Sequence, residues 1–274
     1  MITLQHSICE LIKFNGDLDK FDKEIAYCLL PDGIRAYTGP RPLSHFEINP
    51  DGNDVSWYKF PTSIKNMTKV SAMSSEQHLA NITKKSCFGE TTDVQKYIEI
   101  NKDLPETEYN GILSHLIQDY IFDEWIRKMI DCTNKYEPEA SFVFDGQKLD
   151  SNEVRKLVAE LENYGFYLLA YLCDKNYGIT LNQEWFDEHV YSALKREYPE
   201  ELAESTYKYM KIPEEINEKI TNKDWSELTS SRFAKFNSEY GKLYQQVIKY
   251  TCDTDLFFEE FYKSDIKKDE KSIA

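Results

Sequence analysis

Residues 111–125 have the sequence GILSHLIQDYIFDEW, and this stretch decides the fold. Its apolar residues recur three and four positions apart, which predicts an amphipathic helix over residues 109–131. His115 and Asp119 lie four residues apart on the edge of the apolar stripe, and Asp123 continues their row. Burying an imidazole beside a carboxylate is costly unless both are paired, and a metal ion is one such partner. The stretch therefore predicts a polar site on a buried helix.

The composition supports a large and mainly helical core. The chain has 274 residues, of which 41% are hydrophobic and 14% aromatic, so it has ample apolar surface to offset the entropy lost on folding. Gly and Pro number only 10 and 9, which leaves few turn signals and favours long helices with short connections. We expect an all-α fold, a multi-helix bundle.

The chain shows no repeat and no linker rich in Pro, Gly or Ser. We therefore expect a single helical domain over residues 1–262, followed by a charged flexible tail over residues 263–274. The dipeptide Asp145-Gly146 predicts a small hairpin within residues 141–150. Helical spacing predicts further helices over residues 4–14, 18–30, 62–84, 151–173, 182–196, 198–211 and 225–251. Pro31 should end the second of these, residues 31–50 should form a long loop, and residues 54–60 could be extended.

The net charge and the N-terminal sequence indicate which partners and which cellular location to expect. The net charge is −15, and an acidic surface repels phosphate backbones, so nucleic acid is an unlikely partner by charge. A phosphate-containing substrate stays open, because bound divalent cations invert the local field. The N-terminus has no leader pattern, and no apolar run approaches a membrane span. Together with six scattered cysteines, this predicts a cytoplasmic protein with no membrane anchor.

Other histidines and acidic residues could complete a metal site with His115 and Asp119. His6 is on the first predicted helix, Asp32 lies in a Pro-Asp-Gly segment, and His45 lies in the Pro-rich segment after it. Each has a structural alternative. The histidines could be core residues that are hydrogen-bonded to a neighbour, and a Pro-Asp-Gly aspartate often caps an amide in an ordinary turn.

Together these residues resemble the zinc-dependent phospholipase C family, an all-helical fold shared with certain single-strand nucleases. The resemblance covers roughly the first 125 residues and depends mainly on Pro31-Asp32 and on residues 109–122. It implies that Zn²⁺ or Mn²⁺ is held by His6, Asp32, His45, His115 and Asp119. Members with three zinc ions use further histidines after the His/Asp helix, and His189 is the only later histidine here. We therefore expect one or two ions.

The leading hypothesis is a metal-dependent phosphoesterase that hydrolyses a phosphate ester with a metal-activated water. Asp32 or Asp123 would orient or deprotonate that water, and Arg35 and Arg41 could bind phosphate oxygens unless they are simply surface charges. The alternative is a non-catalytic helical interaction protein with a protein partner, in which the metal site is vestigial or structural. The small number of histidines favours this alternative.

Overall fold

The computed structural model describes residues 3–34, 60, 64–66, 92, 94–132 and 142–262. This part of the chain is mainly helical, which confirms the expected all-α class. The helices are α1 (Thr3–Lys13), α2 (Leu18–Cys28), α3 (Leu30–Gly33), α4 (Val94–Asn101), α5 (Glu106–Met129), α6 (Ser151–Tyr177), α7 (Gln183–Trp185), α8 (Ser192–Glu197), α9 (Glu200–Tyr207), α10 (Glu214–Thr221), α11 (Glu227–Ser230), α12 (Asn237–Cys252) and α13 (Thr254–Leu256). Shorter 3-10 turns cover Ile64–Asn66, Lys208–Met210 and Ala234–Phe236, and π-helical turns cover Phe186–Tyr191 and Phe257–Tyr262.

Helix α1 is enclosed by other helices of the described chain. Every residue from Thr3 to Leu11 is buried, because α1 packs against α2, α6 and α12 and also contacts α5. A helix surrounded on all sides is usually apolar all round. Here Gln5, His6, Ser7 and Glu10 are buried with it, so their polar groups must find partners inside the protein.

The predicted central helix is confirmed as α5, which packs closely on α2 and on α12. Gly111 allows the approach to α2. A Cβ atom at this position would lie 2.7 Å from the Cβ of Tyr27 and 2.9 Å from the backbone nitrogen of Cys28. Any larger side chain would push the two helices apart. This close packing holds the polar face of α5 against α1 and α3.

The expectation that Pro31 ends a helix and begins a loop is wrong. Helix α2 ends at Cys28, and Leu30–Gly33 forms one further helical turn, α3, with Pro31 in its first turn. Proline is tolerated there because the first N–H groups of a helix have no intrahelical acceptor. At Gly33 a Cβ would lie 2.1 Å from the Oγ1 of Thr206, so α3 is seated directly on α9. Asp32 is thereby fixed in a helical turn and buried.

The predicted hairpin is confirmed. Strands β1 (Asp131–Cys132), β2 (Phe142–Phe144) and β3 (Gln147–Leu149) form an antiparallel sheet in that order. Asp145 and Gly146 connect β2 to β3 with φ angles of 53° and 77°, which is the pattern of a tight type I′ turn. Asp150 then caps α6 in a capping box with Glu153, so the helix begins as predicted at Ser151 but extends to Tyr177 instead of Cys173.

Two predicted C-terminal helices have other boundaries. The segment over residues 225–251 is interrupted between α11 and α12. Ser231 there is extended and its Oγ accepts a hydrogen bond from the backbone N–H of Phe233 at 3.2 Å. Such local bonds compete with helix formation. The helix predicted from residue 198 begins at Glu200, because Pro199 is its N-cap. Helices α4 and α10 were not predicted.

The hydrophobic core runs through both halves of the described chain, from Leu4 on α1 to Phe257 after α13. None of the helices in this part of the chain has the length and apolar character needed to cross a bilayer. Four expectations fall wholly or mostly outside the described residues: the loop over 31–50 beyond Ile34, the extended segment 54–60 except Phe60, the helix over 62–84 except Ile64–Asn66, and the tail over 263–274.

Candidate metal centre

Three helices bring four of the predicted ligands together. Helix α1 provides His6, α3 provides Asp32, and α5 provides His115 and Asp119. One ligand atom each from His6, Asp32 and His115 lie within 4.8 Å of one another. The two histidines and Asp119 have no solvent exposure, and Asp32 is 6% exposed. We call these four residues the histidine cluster.

Asp119 faces both imidazoles of the cluster. Its Oδ1 lies 3.2 Å from the Nε2 of His6, and its Oδ2 lies 3.5 Å from the Nε2 of His115. The two rings are stacked, with centroids 3.9 Å apart and an interplanar angle of 20°. One carboxylate therefore presents a separate oxygen to each of two parallel rings.

The surroundings of His6 favour its neutral imidazole form. Burial lowers its pKa, the adjacent His115 lowers it further, and the carboxylates of Asp119 and Asp32 offset part of this effect. Its Nδ1 is hydrogen-bonded to the Oε1 of Gln118 at 2.8 Å. Its Nε2 is buried and makes no well-aligned hydrogen bond to any described residue, although Asp119 is near. A neutral imidazole is the form that binds metals.

Asp32 is oriented by α1. The Oγ1 of Thr3 donates a 2.8 Å hydrogen bond to the Oδ2 of Asp32 across the junction of α1 and α3. Because the close contact of Gly33 with Thr206 fixes α3, the Asp32 carboxylate is held from two sides. The predicted Pro-Asp-Gly aspartate is therefore a buried member of the cluster and not an exposed turn residue.

A second set of buried polar residues lies beside the histidine cluster between α1, α2 and α5. The Oε2 of Glu10 accepts hydrogen bonds from the Oγ of Ser114 at 2.7 Å and from the Nε2 of Gln118 at 3.3 Å. The Nζ of Lys13 lies 2.7 Å from the Oε1 of Glu10 and also pairs with Glu24. We call Glu10, Lys13 and Glu24 the glutamate cluster.

Charge pairing determines the protonation of the glutamate cluster. Burial alone would lower the pKa of Lys13, but the carboxylates of Glu10 and Glu24 raise it above its usual range. Burial and the nearby Glu10 raise the pKa of Glu24 to about 7, against the opposing effect of Lys13. The lysine therefore stays charged, and the second carboxylate is only partly compensated.

The remaining predicted site residues are not in this group. Arg35, Arg41 and His45 lie outside the described residues. Asp123 is half-buried one turn beyond Asp119 on α5 and is not among the three residues whose ligand atoms converge. Its proposed role stays a prediction.

Glu10, Ser114 and Gln118 were not among the site residues predicted from the sequence. A signal was present, because Glu10 follows His6 by four residues and Gln118 follows Ser114 by four. These are the same spacing as His115 and Asp119. Buried polar residues that repeat at this spacing on two helices indicate a polar layer between them.

Comparisons of the chain with models of protein families, with curated proteins and with solved structures found no match.

Proposed function

We propose that the chain is a metal-dependent phosphoesterase that holds one or two divalent ions, Zn²⁺ or Mn²⁺, at the histidine cluster. The observation that carries the proposal is the placement of Asp119 between two buried imidazoles. The resemblance of residues 109–122 and of Pro31-Asp32 to zinc-dependent phospholipase C supports both the activity and the corresponding arrangement of helices.

The donor atoms suit these metals. Two imidazoles and two carboxylates are a common ligand set for zinc, and manganese accepts the same groups. Donor atoms around a tetrahedral zinc ion lie about 3.3 Å apart, as bond lengths of 2.0–2.1 Å require. The separations of 3.2 and 3.5 Å between Asp119 and the two imidazoles agree with this value.

The stacking of the rings favours two ions over one. Parallel rings 3.9 Å apart do not direct both Nε2 lone pairs at a single point, whereas Asp119 offers one oxygen beside each ring. Sites with two metals about 3.5–4 Å apart are used by phosphatases and nucleases. This geometry connects the cluster to phosphate chemistry.

The chemistry that such ions supply is neutralisation of charge on the phosphate and a lower pKa for a bound water. Asp32 is the candidate for orienting or deprotonating that water, because Thr3 holds one of its oxygens. Asp123 is the second candidate, from its position one turn beyond Asp119. Arg35 and Arg41 remain the candidates for binding phosphate oxygens.

The burial of the cluster supports a second function, a structural metal site in a non-catalytic interaction protein. The four side chains are between 0% and 6% exposed, and four protein ligands around one ion form a closed site. A catalytic zinc usually keeps one position for water or substrate.

Metal content and turnover together test the proposal. We expect purified protein to contain Zn²⁺ or Mn²⁺ by elemental analysis and to hydrolyse members of a panel of phosphodiesters and phosphomonoesters when metal-loaded. Chelated protein is the control and should be inactive. Bound metal without turnover across the panel would favour the structural site, and protein that binds neither ion would contradict both functions.

A further inference from the structure

The glutamate cluster is connected to the histidine cluster through one side-chain amide, that of Gln118. Its Nε2 lies 3.3 Å from the Oε2 of Glu10 and 3.1 Å from the Oγ of Ser114, and its Oε1 lies 2.8 Å from the Nδ1 of His6. Gln118, Glu10 and Ser114 are all at most 2% exposed. A buried chain of hydrogen bonds thus runs from a carboxylate to an imidazole.

The direction of every bond in this chain follows from Glu10. A carboxylate can only accept, so Ser114 donates its hydroxyl proton to Glu10 and its oxygen is left to accept from Gln118. The contacts of Gln118 with Glu10 and Ser114 therefore both require that its NH₂ group faces Glu10. The amide oxygen then faces His6, and because that oxygen cannot donate, the Nδ1 of His6 must carry the proton.

We infer that Glu10 and Gln118 are positioning residues that fix His6 as the Nδ1–H tautomer, so that its Nε2 lone pair faces Asp119 and a metal ion. This inference rests on the proposed metal site and explains how that site is prepared. Ligating histidines commonly donate their other N–H to a partner that fixes the tautomer. Here the partner is an amide whose orientation is set by a carboxylate one step further away.

Lys13 also orients this hydrogen-bonded chain, because it contacts the Oε1 of Glu10 and leaves the Oε2 to accept from Ser114 and Gln118. The arrangement leaves two acceptors, the Nε2 of His6 and the Oδ1 of Asp119, 3.2 Å apart. Two facing acceptors repel unless a proton or a cation lies between them. The tautomer therefore makes this position attractive to a cation.

The inference can be tested without metal by ¹⁵N NMR of the imidazoles in the chelator-treated full chain. The signal that is lost in His6→Gln identifies His6. We expect its Nδ1 to be protonated and its Nε2 unprotonated in the wild type. In Glu10→Gln the amide of Gln118 can turn over, and in Gln118→Met the acceptor is lost, so both variants should show the opposite tautomer or a mixture.

Zinc affinity gives the second readout, measured by competition with a chromophoric chelator. Loss of a partner of a ligating histidine weakens metal binding by roughly 10–100-fold, which is the effect expected in Glu10→Gln and Gln118→Met. Gln118→Glu keeps an acceptor for Nδ1 and should retain the wild-type tautomer. Gln5→Met is the matched control, since Gln5 is a buried glutamine on α1 whose amide binds Glu162 and Tyr244 instead.

The outcomes separate the two proposals. An Nε2–H tautomer in the wild type, or an unchanged tautomer in both Glu10→Gln and Gln118→Met, overturns the positioning role. The expected tautomers in a protein that binds neither Zn²⁺ nor Mn²⁺ support the positioning chain and contradict the proposed function. If Gln118→Met fails to fold, as judged by circular dichroism, Glu10→Gln alone decides the question.

Discussion

The histidine cluster and the glutamate cluster lie side by side and share helix α1, yet they balance their carboxylates in different ways. In the glutamate cluster the cation is part of the chain, because Lys13 pairs with both Glu10 and Glu24. In the histidine cluster two imidazole nitrogens are among the groups that face Asp119, and burial lowers the pKa of one of these histidines, His6.

This difference shows what each cluster can do. The ammonium group of Lys13 is a fixed charge that stabilises the fold and occupies the position between Glu10 and Glu24. Neutral imidazoles supply lone pairs, so they hold a cation from outside instead of providing one. The glutamate cluster thus contains its own cation, whereas the proposed metal ion would supply the cation of the histidine cluster.

The largest effect is expected from His115→Ala. If the site is catalytic as proposed, the ion would depend on this ligand and would activate the water, so the substitution should abolish metal binding and phosphodiester hydrolysis together. Elemental analysis and turnover of the metal-loaded variant measure the two effects. If the site is vestigial, the wild type should contain little metal, and the substitution should act only as a packing change of roughly 1–3 kcal/mol.

His189→Ala is the matched control for this prediction. His189 is also helical and also pairs with an aspartate, Asp22, but its side chain is 18% exposed and it belongs to neither cluster. Metal content and turnover should stay at the wild-type level. If His189→Ala lost metal and turnover as His115→Ala is expected to, the histidine cluster could not be the specific metal site.

Lys13→Met should have the largest effect on folding. The side chain of Lys13 is 10% exposed, and removing it leaves Glu10 and Glu24 as neighbouring buried acids. Breaking a buried ion pair by removing one partner costs about 3–5 kcal/mol, which urea denaturation would measure. Replacing Glu10 and Glu24 with glutamine in the same variant should restore much of this loss. No loss in the single variant would show that Lys13 does not balance the cluster.

The sequence predicted α1 and α5, because their periodicity is local, but it predicted a loop where α3 carries Asp32. The His115/Asp119 pair was found from spacing within one helix. The glutamate cluster was not found, because Glu10 and Lys13 come from α1 and Glu24 comes from α2, so their contacts depend on tertiary packing. The break at Ser231 was missed for another reason, since one side-chain hydrogen bond overrides a helical pattern that is otherwise continuous.

Metal should stabilise the folded chain through the histidine cluster. A ligand that binds only the folded state adds about 2.7 kcal/mol to the free energy of unfolding when its concentration is one hundred times its Kd. We expect a gain of this size for wild-type protein with Zn²⁺ in thermal or urea unfolding, and little or none for Asp119→Asn, which weakens the contact with both imidazoles. An equal gain in both proteins would place the bound metal elsewhere.

The smallest expected effect is the pH dependence of stability that Glu24 causes, and it measures how well Lys13 compensates two carboxylates. Burial and Glu10 raise the pKa of Glu24 to about 7, above the ordinary value of 4.5. Between these two pH values the folded chain binds more protons than the unfolded chain, so this group lowers the stability of the fold as the pH rises through that window. Glutamine cannot ionise and should remove the penalty.

We therefore expect Glu24→Gln to become more stable relative to the wild type between pH 4.5 and pH 7, by on the order of 2 kcal/mol. Urea denaturation of chelated protein across this range gives the difference directly. Glu218→Gln, at an exposed position on α10, is the control and should show no such trend. A difference between Glu24→Gln and the wild type that does not change with pH would mean that Lys13 alone balances both acids. Glu10 and Glu24 would then both be ionised beside the single ammonium group of Lys13. The two clusters would differ only in where their cation comes from.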